Sequence, residues 1–202
     1  MHTDLTKIDK EDFELRECEF GGDACVWVYP NKQGIKWNSD NAIFRSSIWR
    51  VSDGKLVSAG FKKFFNLGEH PAVFPAPEKI NGNHRFIEKL DGSCLIVSKL
   101  NGELITRTRR ALTAFHLNGD EIAGFITKYP KAFEFEGVAT PEYSLIFEWT
   151  TPSNRIVLDY GPPDIKLIGK INHADYSYET QESLDIVAAG FGVGRPKVYT
   201  FK

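Results

Sequence analysis

Apolar and polar positions alternate along much of the chain, and turn-forming residues separate the alternating stretches. β-Branched and aromatic residues recur within these stretches, which is typical of half-buried strands. The pattern predicts strands over Ala24–Tyr29, Ala42–Val51, Lys55–Phe61, Arg85–Leu90 and Ser144–Thr150.

An Asn-Gly pair marks a hairpin. Asn101-Gly102 lies between two alternating runs, Cys94–Leu100 and Glu103–Thr108. Asn-Gly in this setting is the strongest short-range hairpin signal, because both residues tolerate positive φ. Asp53-Gly54 offers a second turn of the same kind. The predicted sheets are therefore mainly antiparallel.

Two stretches have helical spacing instead, with apolar residues at i, i+3, i+4 and i+7. They are Ile122, Phe125, Ile126 and Tyr129, followed by Leu184, Val187, Ala188 and Phe191. The second helix is expected to begin near Thr180 and to end at Gly190 or Gly192, where glycine accepts the left-handed cap conformation. The elements together predict an α+β fold of mainly antiparallel sheets flanked by helices.

Length and composition limit the class of protein. A chain of 202 residues, 42% hydrophobic, predicts one globular domain over residues 1–202. Three cysteines without metal-ligand spacing predict reduced thiols, and the absence of a signal peptide or a bilayer-spanning apolar run predicts a cytoplasmic location without membrane association. The net charge of −2 means that any contact with nucleic acid is local, and Arg107, Arg109 and Arg110 form one local basic cluster.

Lys89-Leu90-Asp91-Gly92 is the sharpest candidate for chemistry. It ends a predicted strand, so Lys89 and Asp91 are expected on one face, and Gly92 would allow a sharp turn. A lysine amine attacks phosphorus only when deprotonated, so its surroundings must lower a pKa that begins near ~10.4. Taken alone, the tetrapeptide is more typical of a solvated lysine before an Asp-Gly turn than of a nucleophile.

Three further blocks accompany this motif. Residues 44–47 read F-R-S-S, residues 61–69 read F-K-K-F-F-N-L-G-E, and residues 145–157 read L-I-F-E-W-T-T-P-S-N-R-I-V. In this order the four blocks resemble the ATP-dependent RNA ligase family typified by the tRNA-repairing RNA ligase 1 of T-even phages. The resemblance covers most of the chain and implies the DNA/RNA ligase-like nucleotidyltransferase fold, which is unrelated to the ATP-grasp fold.

The resemblance also implies a three-step reaction. A lysine attacks the α-phosphate of ATP and expels pyrophosphate, the AMP passes to an RNA 5′-phosphate, and a 3′-hydroxyl displaces it. The implied cofactors are ATP and Mg²⁺ or Mn²⁺, and the implied partner is RNA with 5′-phosphate and 3′-hydroxyl ends, tRNA among them, in a bacterial or phage-infected cell. DNA ligases and capping enzymes share the lysine motif, but the K-F-F-N and P-x-N-R-I-V blocks favour RNA.

Site roles carry over by position in the motifs. The resemblance implies that Lys89 is the nucleophile and that the nucleotide-binding residues are Arg45, Lys63, Phe65, Glu88, Asp91, Gly92, Arg109 and Glu148. Glu148 would bind the ribose or help to hold a metal. Arg109 is the best match to a basic residue after the hairpin, although Arg110 stands where the family has glycine.

Each role competes with a structural alternative. Arg45 and Lys63 could be exposed cations on strands, and the aromatic side chains of Phe64 and Phe65 are expected in the core rather than stacked on bases. Ile146 and Phe147 are expected in the core as well. Strand alternation points Glu148 away from its neighbours, into solvent or, as we favour, into a polar cleft.

Two family elements have no counterpart after residue 157. These are an E-G-[VYF]-V strand and a K-x-K strand; Glu136-Gly137-Val138 resembles the first but precedes Glu148. Three explanations are consistent with this pattern. The chain is truncated before its last strands, it is part of a split ligase that needs a C-terminal segment or partner polypeptide, or it is a degenerate copy. The alternative function is a module that binds nucleotide or RNA ends without autonomous ligase activity.

Overall fold

The computed structural model describes residues 1–66, 69, 84–112, 142–152 and 157–200. Ten strands, two 3-10 helices and one α-helix are assigned within these ranges. In chain order the strands are β1 Phe13–Phe20, β2 Asp23–Pro30, β3 Ser47–Arg50, β4 Leu56–Ala59, β5 Arg85–Ile87, β6 Ser93–Leu100, β7 Glu103–Arg107, β8 Tyr143–Thr150, β9 Asp164–Asn172 and β10 Val198–Thr200. The 3-10 helices are η1 Leu5–Lys7 and η2 Ala42–Arg45, and the α-helix, α1, is Gln181–Phe191. None of the described helices is long and apolar enough to cross a bilayer.

The strands form two four-stranded sheets and a two-stranded ribbon. The first sheet has the order β1-β2-β3-β4, the second has the order β7-β6-β8-β9, and the ribbon pairs β5 with β10. All of these pairs are antiparallel. The prediction of an α+β fold with mainly antiparallel sheets is therefore confirmed.

The turn and cap predictions are confirmed in detail. Asn101 and Gly102 have φ of 47° and 88° and join β6 to β7, which is the geometry that a two-residue Asn-Gly hairpin needs. The hydroxyl of Thr180 accepts a hydrogen bond from the Ser183 amide, and Gly192 ends α1 in the left-handed conformation. The other predicted helix, around Ile122, lies outside the described residues.

Apolar side chains on both faces of the second sheet make the core. Phe147 and Trp149 on β8 pack with Leu184 and Ala188 of α1 on one face. On the opposite face, Ile146 packs with residues of the first sheet. The two sheets therefore lie against each other, and any polar group that points between them is enclosed by protein.

Some predicted strands are shorter in the structure. Residues 42–45 form the 3-10 helix η2, so only the second part of the predicted strand Ala42–Val51 is extended. Lys55–Phe61 contracts to β4, and Arg85–Leu90 contracts to β5. The local pattern located the elements, whereas hydrogen bonding to neighbouring strands set their ends.

Candidate active site

Lys89 lies in an irregular segment that joins β5 to β6, and it is exposed. The expectation that Lys89 and Asp91 occupy one face of a strand is wrong, because strand pairing stops at Ile87. The segment from 88 to 92 is instead positioned by contacts with more distant parts of the chain. These contacts decide which groups surround the lysine.

Gly92 is held against strand β8. Its amide donates a 3.0 Å hydrogen bond to Oε1 of Glu148. A Cβ at this position would lie 2.2 Å from the carbonyl oxygen of Trp149, which is far inside van der Waals contact. Glycine is needed at residue 92 because the two backbones approach closely. Backbone conformation is not the reason, since the φ of Gly92 is not positive.

Glu148 points to the face of β8 opposite Phe147 and Trp149, as the alternation predicted. It is partly buried, and burial raises the pKa of its carboxyl group. The Gly92 hydrogen bond and the positive charge of Lys89 oppose this rise, whereas the charge of Asp91 adds to it. Lys89, Asp91 and Glu148 therefore lie close enough for their charges to interact.

Asp91 ties this segment to the chain that follows β8. Its Oδ2 accepts hydrogen bonds from the amides of Val157 at 2.6 Å and Leu158 at 3.2 Å. Its own amide donates to the Tyr160 hydroxyl at 2.9 Å. Asp91 thus shapes the loop around Lys89, and its carboxylate is occupied by backbone amides.

Glu88 is directed elsewhere. Its Oε2 accepts a 3.2 Å hydrogen bond from the Lys197 amide, and its own amide donates to the Lys197 carbonyl. These bonds extend the β5–β10 ribbon. The structure therefore does not bring the Glu88 carboxylate together with the other predicted nucleotide-binding groups.

A second group of predicted residues lines a cavity of about 210 Å³. Its walls come from the end of β2, from η2, from the segment after β4 and from the segment after β7. The lining residues are Tyr29, Pro30, Trp37, Arg45, Lys63, Arg109 and Arg110. Three cations that are far apart in sequence are thereby brought to one place, and Arg110 adds a fourth.

Aromatic rings hold two of these cations. The Arg45 guanidinium lies 4.2 Å from the centre of the Phe64 ring, and Lys63 Nζ lies 4.2 Å from the centre of the Phe65 ring. Cation–π contacts of this kind restrain long side chains. Phe64 is 54% exposed, so the expectation that it belongs to the core is wrong; Ile146 and Phe147 are fully buried, as expected. Arg45 and Lys63 do not lie on strands, contrary to prediction.

Cys94 lies near both Glu148 and the cation cavity. It is paired in register with Glu148 across β6 and β8. Burial raises the pKa of its thiol to about 12; the charge of Glu148 adds to the rise, and those of Arg45 and Arg109 oppose it. The Cys94 thiol therefore lies near the charges of Glu148 and of the cavity arginines, and Glu148 and the cation cavity are neighbours.

The site can contribute one carboxylate to a divalent cation. Among the described residues, no three His, Cys, Asp or Glu side chains cluster to form a metal cage. Glu148 accepts one hydrogen bond, and a carboxylate in this state keeps lone pairs for a cation. Mg²⁺ is commonly held by one or two carboxylates together with substrate phosphates, so Glu148 fits this kind of site.

Comparison of the sequence with protein families decides the relationship. The T4-type family model described as RNA ligase matches residues 43–202. The chain belongs to the RNA ligase family. The match includes Lys89, Glu148, the cavity cations and the segment that closes the loop around Lys89.

Two similar proteins support the assignment of this chain to the RNA ligase family. A protein of Thermovibrio ammonificans, provisionally named an RNA ligase, is 30% identical over 152 residues, which cover 73% of this chain and 38% of the relative. The RNA ligase of Rhodothermus phage RM378 is 28% identical over 191 residues, covering 75% of this chain and 42% of the phage protein. The chain thus matches less than half the length of either relative.

Solved structures support the fold. An archaeal ATP-dependent RNA ligase has a TM-score of 0.54 and 14% identity, with 92% of this chain and 48% of that chain covered. A protein of Aquifex aeolicus, provisionally named an ATP-dependent DNA ligase, has a TM-score of 0.56 and 12% identity, with 97% and 49% covered. At these identities the likeness shows the nucleotidyltransferase fold, as predicted.

Several residues near the site were not nominated from the sequence. Tyr29, Trp37 and Arg110 line the cavity, and Tyr160 binds the Asp91 amide. Arg110 was visible as part of a basic cluster, whereas nothing local marks the aromatic residues. Residues 67, 68 and 153–156 of the family blocks, and the Glu136-Gly137-Val138 match, lie outside the described residues.

Proposed function

We propose that the protein is an ATP-dependent RNA ligase that attaches AMP to Nζ of Lys89 and joins RNA 5′-phosphate to 3′-hydroxyl ends. The observation that carries this proposal is the convergence of Lys89, Gly92 and Glu148 beside a cavity of four cations. The RNA ligase family match over residues 43–202 includes all of these residues.

In the proposed first step, the ATP polyphosphate occupies the cation cavity. Arg45, Lys63, Arg109 and Arg110 would neutralise the phosphate charges, since guanidinium and ammonium groups bind phosphate through charge-assisted hydrogen bonds. The Lys89 amine then attacks the α-phosphorus; the new N–P bond forms as the bond to pyrophosphate breaks. The charge of the departing pyrophosphate develops where the cations already lie.

Glu148 would act on the adenosine side of the α-phosphate. Its partly buried carboxylate could bind a ribose hydroxyl or contribute one ligand to Mg²⁺ or Mn²⁺, which would supply charge neutralisation at the phosphates. Gly92 orients this carboxylate through its amide. Phe65 supports Lys63, and Glu88 acts at a distance by fixing the ribbon before Lys89.

The RNA substrate is inferred from membership of the RNA ligase family, and it is proposed for the whole protein. RNA with broken ends is the proposed partner, with tRNA as one case and with a further C-terminal segment or partner polypeptide completing the ligase. The cytoplasm is the proposed location. The three free cysteines support it, because reduced thiols persist there.

The test is transfer of label from α-labelled ATP to the protein in the presence of Mg²⁺, followed by denaturing electrophoresis. We expect a labelled band that Lys89→Ala abolishes and that Lys7→Ala, at an 82% exposed lysine, leaves unchanged. Adenylylation that persists in Lys89→Ala would refute the nucleophile. Tight ATP binding without any adduct would favour the alternative, a module that binds nucleotide or RNA ends.

A further inference from the structure

Arg107, the last residue of β7, is a completely buried cation. Its exposed fraction is 0%, and burial lowers the pKa of its guanidinium to about 10. A buried charge is costly unless hydrogen bonds or an opposite charge compensate it. Within the described ranges no carboxylate forms an ion pair with Arg107, and the acceptors of its hydrogen bonds are neutral oxygens. A buried cation that is paired only with neutral oxygens indicates a role other than packing.

Three of the hydrogen bonds that Arg107 donates go to the backbone segments that carry two cavity arginines. Two others go to Ser58 of β4, from Nε to its Oγ at 2.9 Å and from Nη2 to its carbonyl at 3.3 Å. Nη1 of Arg107 donates to Ser46 Oγ at 2.6 Å and to the Thr108 carbonyl at 3.3 Å, and Nη2 donates to the Ser46 carbonyl at 3.2 Å. Ser46 directly follows Arg45, and Thr108 directly precedes Arg109. The Arg107 guanidinium is therefore hydrogen-bonded to the chain next to both Arg45 and Arg109.

Ser46 adds a direct link between the same segments. Its hydroxyl donates to the Arg109 carbonyl at 3.4 Å while it accepts from Arg107. Arg45 and Arg109 repel each other: the pKa of Arg45 is lowered by burial first and by the charge of Arg109 second. Holding two like charges close together without an anion costs free energy, and restraint of the backbone that carries them helps to keep them in place.

We propose that Arg107 and Ser46 form a brace that positions Arg45 and Arg109 for phosphate binding. Arg107 is too deeply buried to touch a ligand, so it is a positioning residue. The brace rests on the proposed function of the cavity and adds to it the residues that hold the cavity in its binding geometry. Pre-organised donors bind phosphate more tightly because less freedom is lost on binding.

The same polar layer supplies a matched control. The Ser98 hydroxyl donates to Ser58 Oγ at 2.8 Å, and it lies 2.7 Å from Ser144 Oγ, which in turn is 2.7 Å from His173 Nε2. Ser98 is as buried as Ser46. Its acceptor Ser58 Oγ also accepts from Arg107 Nε at 2.9 Å, but among the described residues Ser98 itself makes no hydrogen bond to Arg107 or to the segments of Arg45 and Arg109. Ser98→Ala and Ser46→Ala each remove one buried hydroxyl without changing charge.

The experiment measures the Kd of inorganic tripolyphosphate for the full-length protein by calorimetry, with the Tm of every variant. We expect Ser46→Ala to raise this Kd about tenfold and Ser98→Ala to raise it less than about twofold, while both lower Tm by similar amounts. In the adenylylation assay, Ser46→Ala should raise the KM for ATP with kcat nearly unchanged.

Two further variants separate the brace from the cavity itself. Arg107→Lys keeps the charge but loses the planar fork, so it should weaken tripolyphosphate binding even if Ser46→Ala fails to fold. Equal affinities for the Ser46→Ala, Ser98→Ala and Arg107→Lys proteins would overturn the brace. An Arg45→Ala protein that binds tripolyphosphate as tightly as the parent would overturn the phosphate role of the cavity, and the brace with it.

Discussion

The Gly92 amide donates a 3.0 Å hydrogen bond to Oε1 of Glu148, across 56 positions of sequence. The bond joins the segment that carries Lys89 to strand β8 of the second sheet. It also fixes the direction of a carboxylate that burial would otherwise disfavour. The proposed nucleophile and the proposed ribose or metal ligand are thereby held by one contact.

Gly92→Ala should disrupt this contact. The added Cβ would meet the Trp149 carbonyl at 2.2 Å, so the backbones must separate, and we expect a loss of about 2–3 kcal/mol in the free energy of unfolding. Gly190→Ala is the control, because open space surrounds that exposed helical position; it should stabilise the protein by about 0.5–1 kcal/mol. Urea denaturation measures both values, and equal effects would contradict the steric argument.

Glu148→Gln should lower activity and raise stability at neutral pH. Because the pKa of Glu148 is raised in the folded protein, its protonated form favours folding; this contribution is present below the unfolded pKa and is lost as pH rises through the folded pKa. The ionised carboxylate therefore opposes folding at pH 7. Glutamine can still accept the Gly92 hydrogen bond without charge.

Thermal denaturation of the Glu148→Gln protein at two pH values tests this prediction. The variant should have the higher Tm at pH 7, by roughly 2–4 °C, and the gain should disappear near pH 4, where the parent carboxyl is protonated. Glu17→Gln on the exposed part of β1 serves as the control. A gain that is equal at both pH values would contradict an electrostatic origin.

Tyr160→Phe should loosen the loop around Lys89. The hydroxyl accepts a 2.9 Å hydrogen bond from the Asp91 amide, and its loss leaves that partly buried donor unpaired at a cost of about 1 kcal/mol. We expect slower attachment of AMP as well, since the Asp91 segment carries the nucleophile. Tyr199→Phe, at a 54% exposed tyrosine, should change neither quantity, and a Tyr160→Phe protein with the parental rate would refute the positioning role.

Cys94 should resist alkylation in the native protein. Burial raises the pKa of its thiol to about 12, so at pH 8 almost no thiolate is present, and only the thiolate reacts. We expect iodoacetamide to modify Cys94 at least about a hundredfold more slowly than free cysteine, with normal reactivity in urea. Peptide mass mapping locates the adducts, and rapid native labelling of Cys94 would contradict the raised pKa of its thiol.

The local elements could largely be predicted from the sequence. The Asn101-Gly102 turn and the helix capped by Thr180 and Gly192 depend on backbone preferences of a few adjacent residues. The direction of Glu148 followed from strand alternation, which β8 obeys. The 3-10 helix at Arg45 was missed because its β-branched and aromatic residues, Ile43 and Phe44, are also typical of strands. The end of β5 was missed because β10 supplies its pairing partner.

The sequence by itself determined the family, the antiparallel α+β class and the identity of the proposed nucleophile, because these depend on motifs and on periodicities within short segments. Only the tertiary structure decided which charges meet. It directed Glu88 to the ribbon at Lys197, tied Asp91 to the amides after β8, and gathered Arg45, Lys63, Arg109 and Arg110 at one cavity. It also buried Arg107 beneath them. The reason is physical: the energy of a charge depends on its distance to other charges and on its burial, and both are set by the packing of the two sheets.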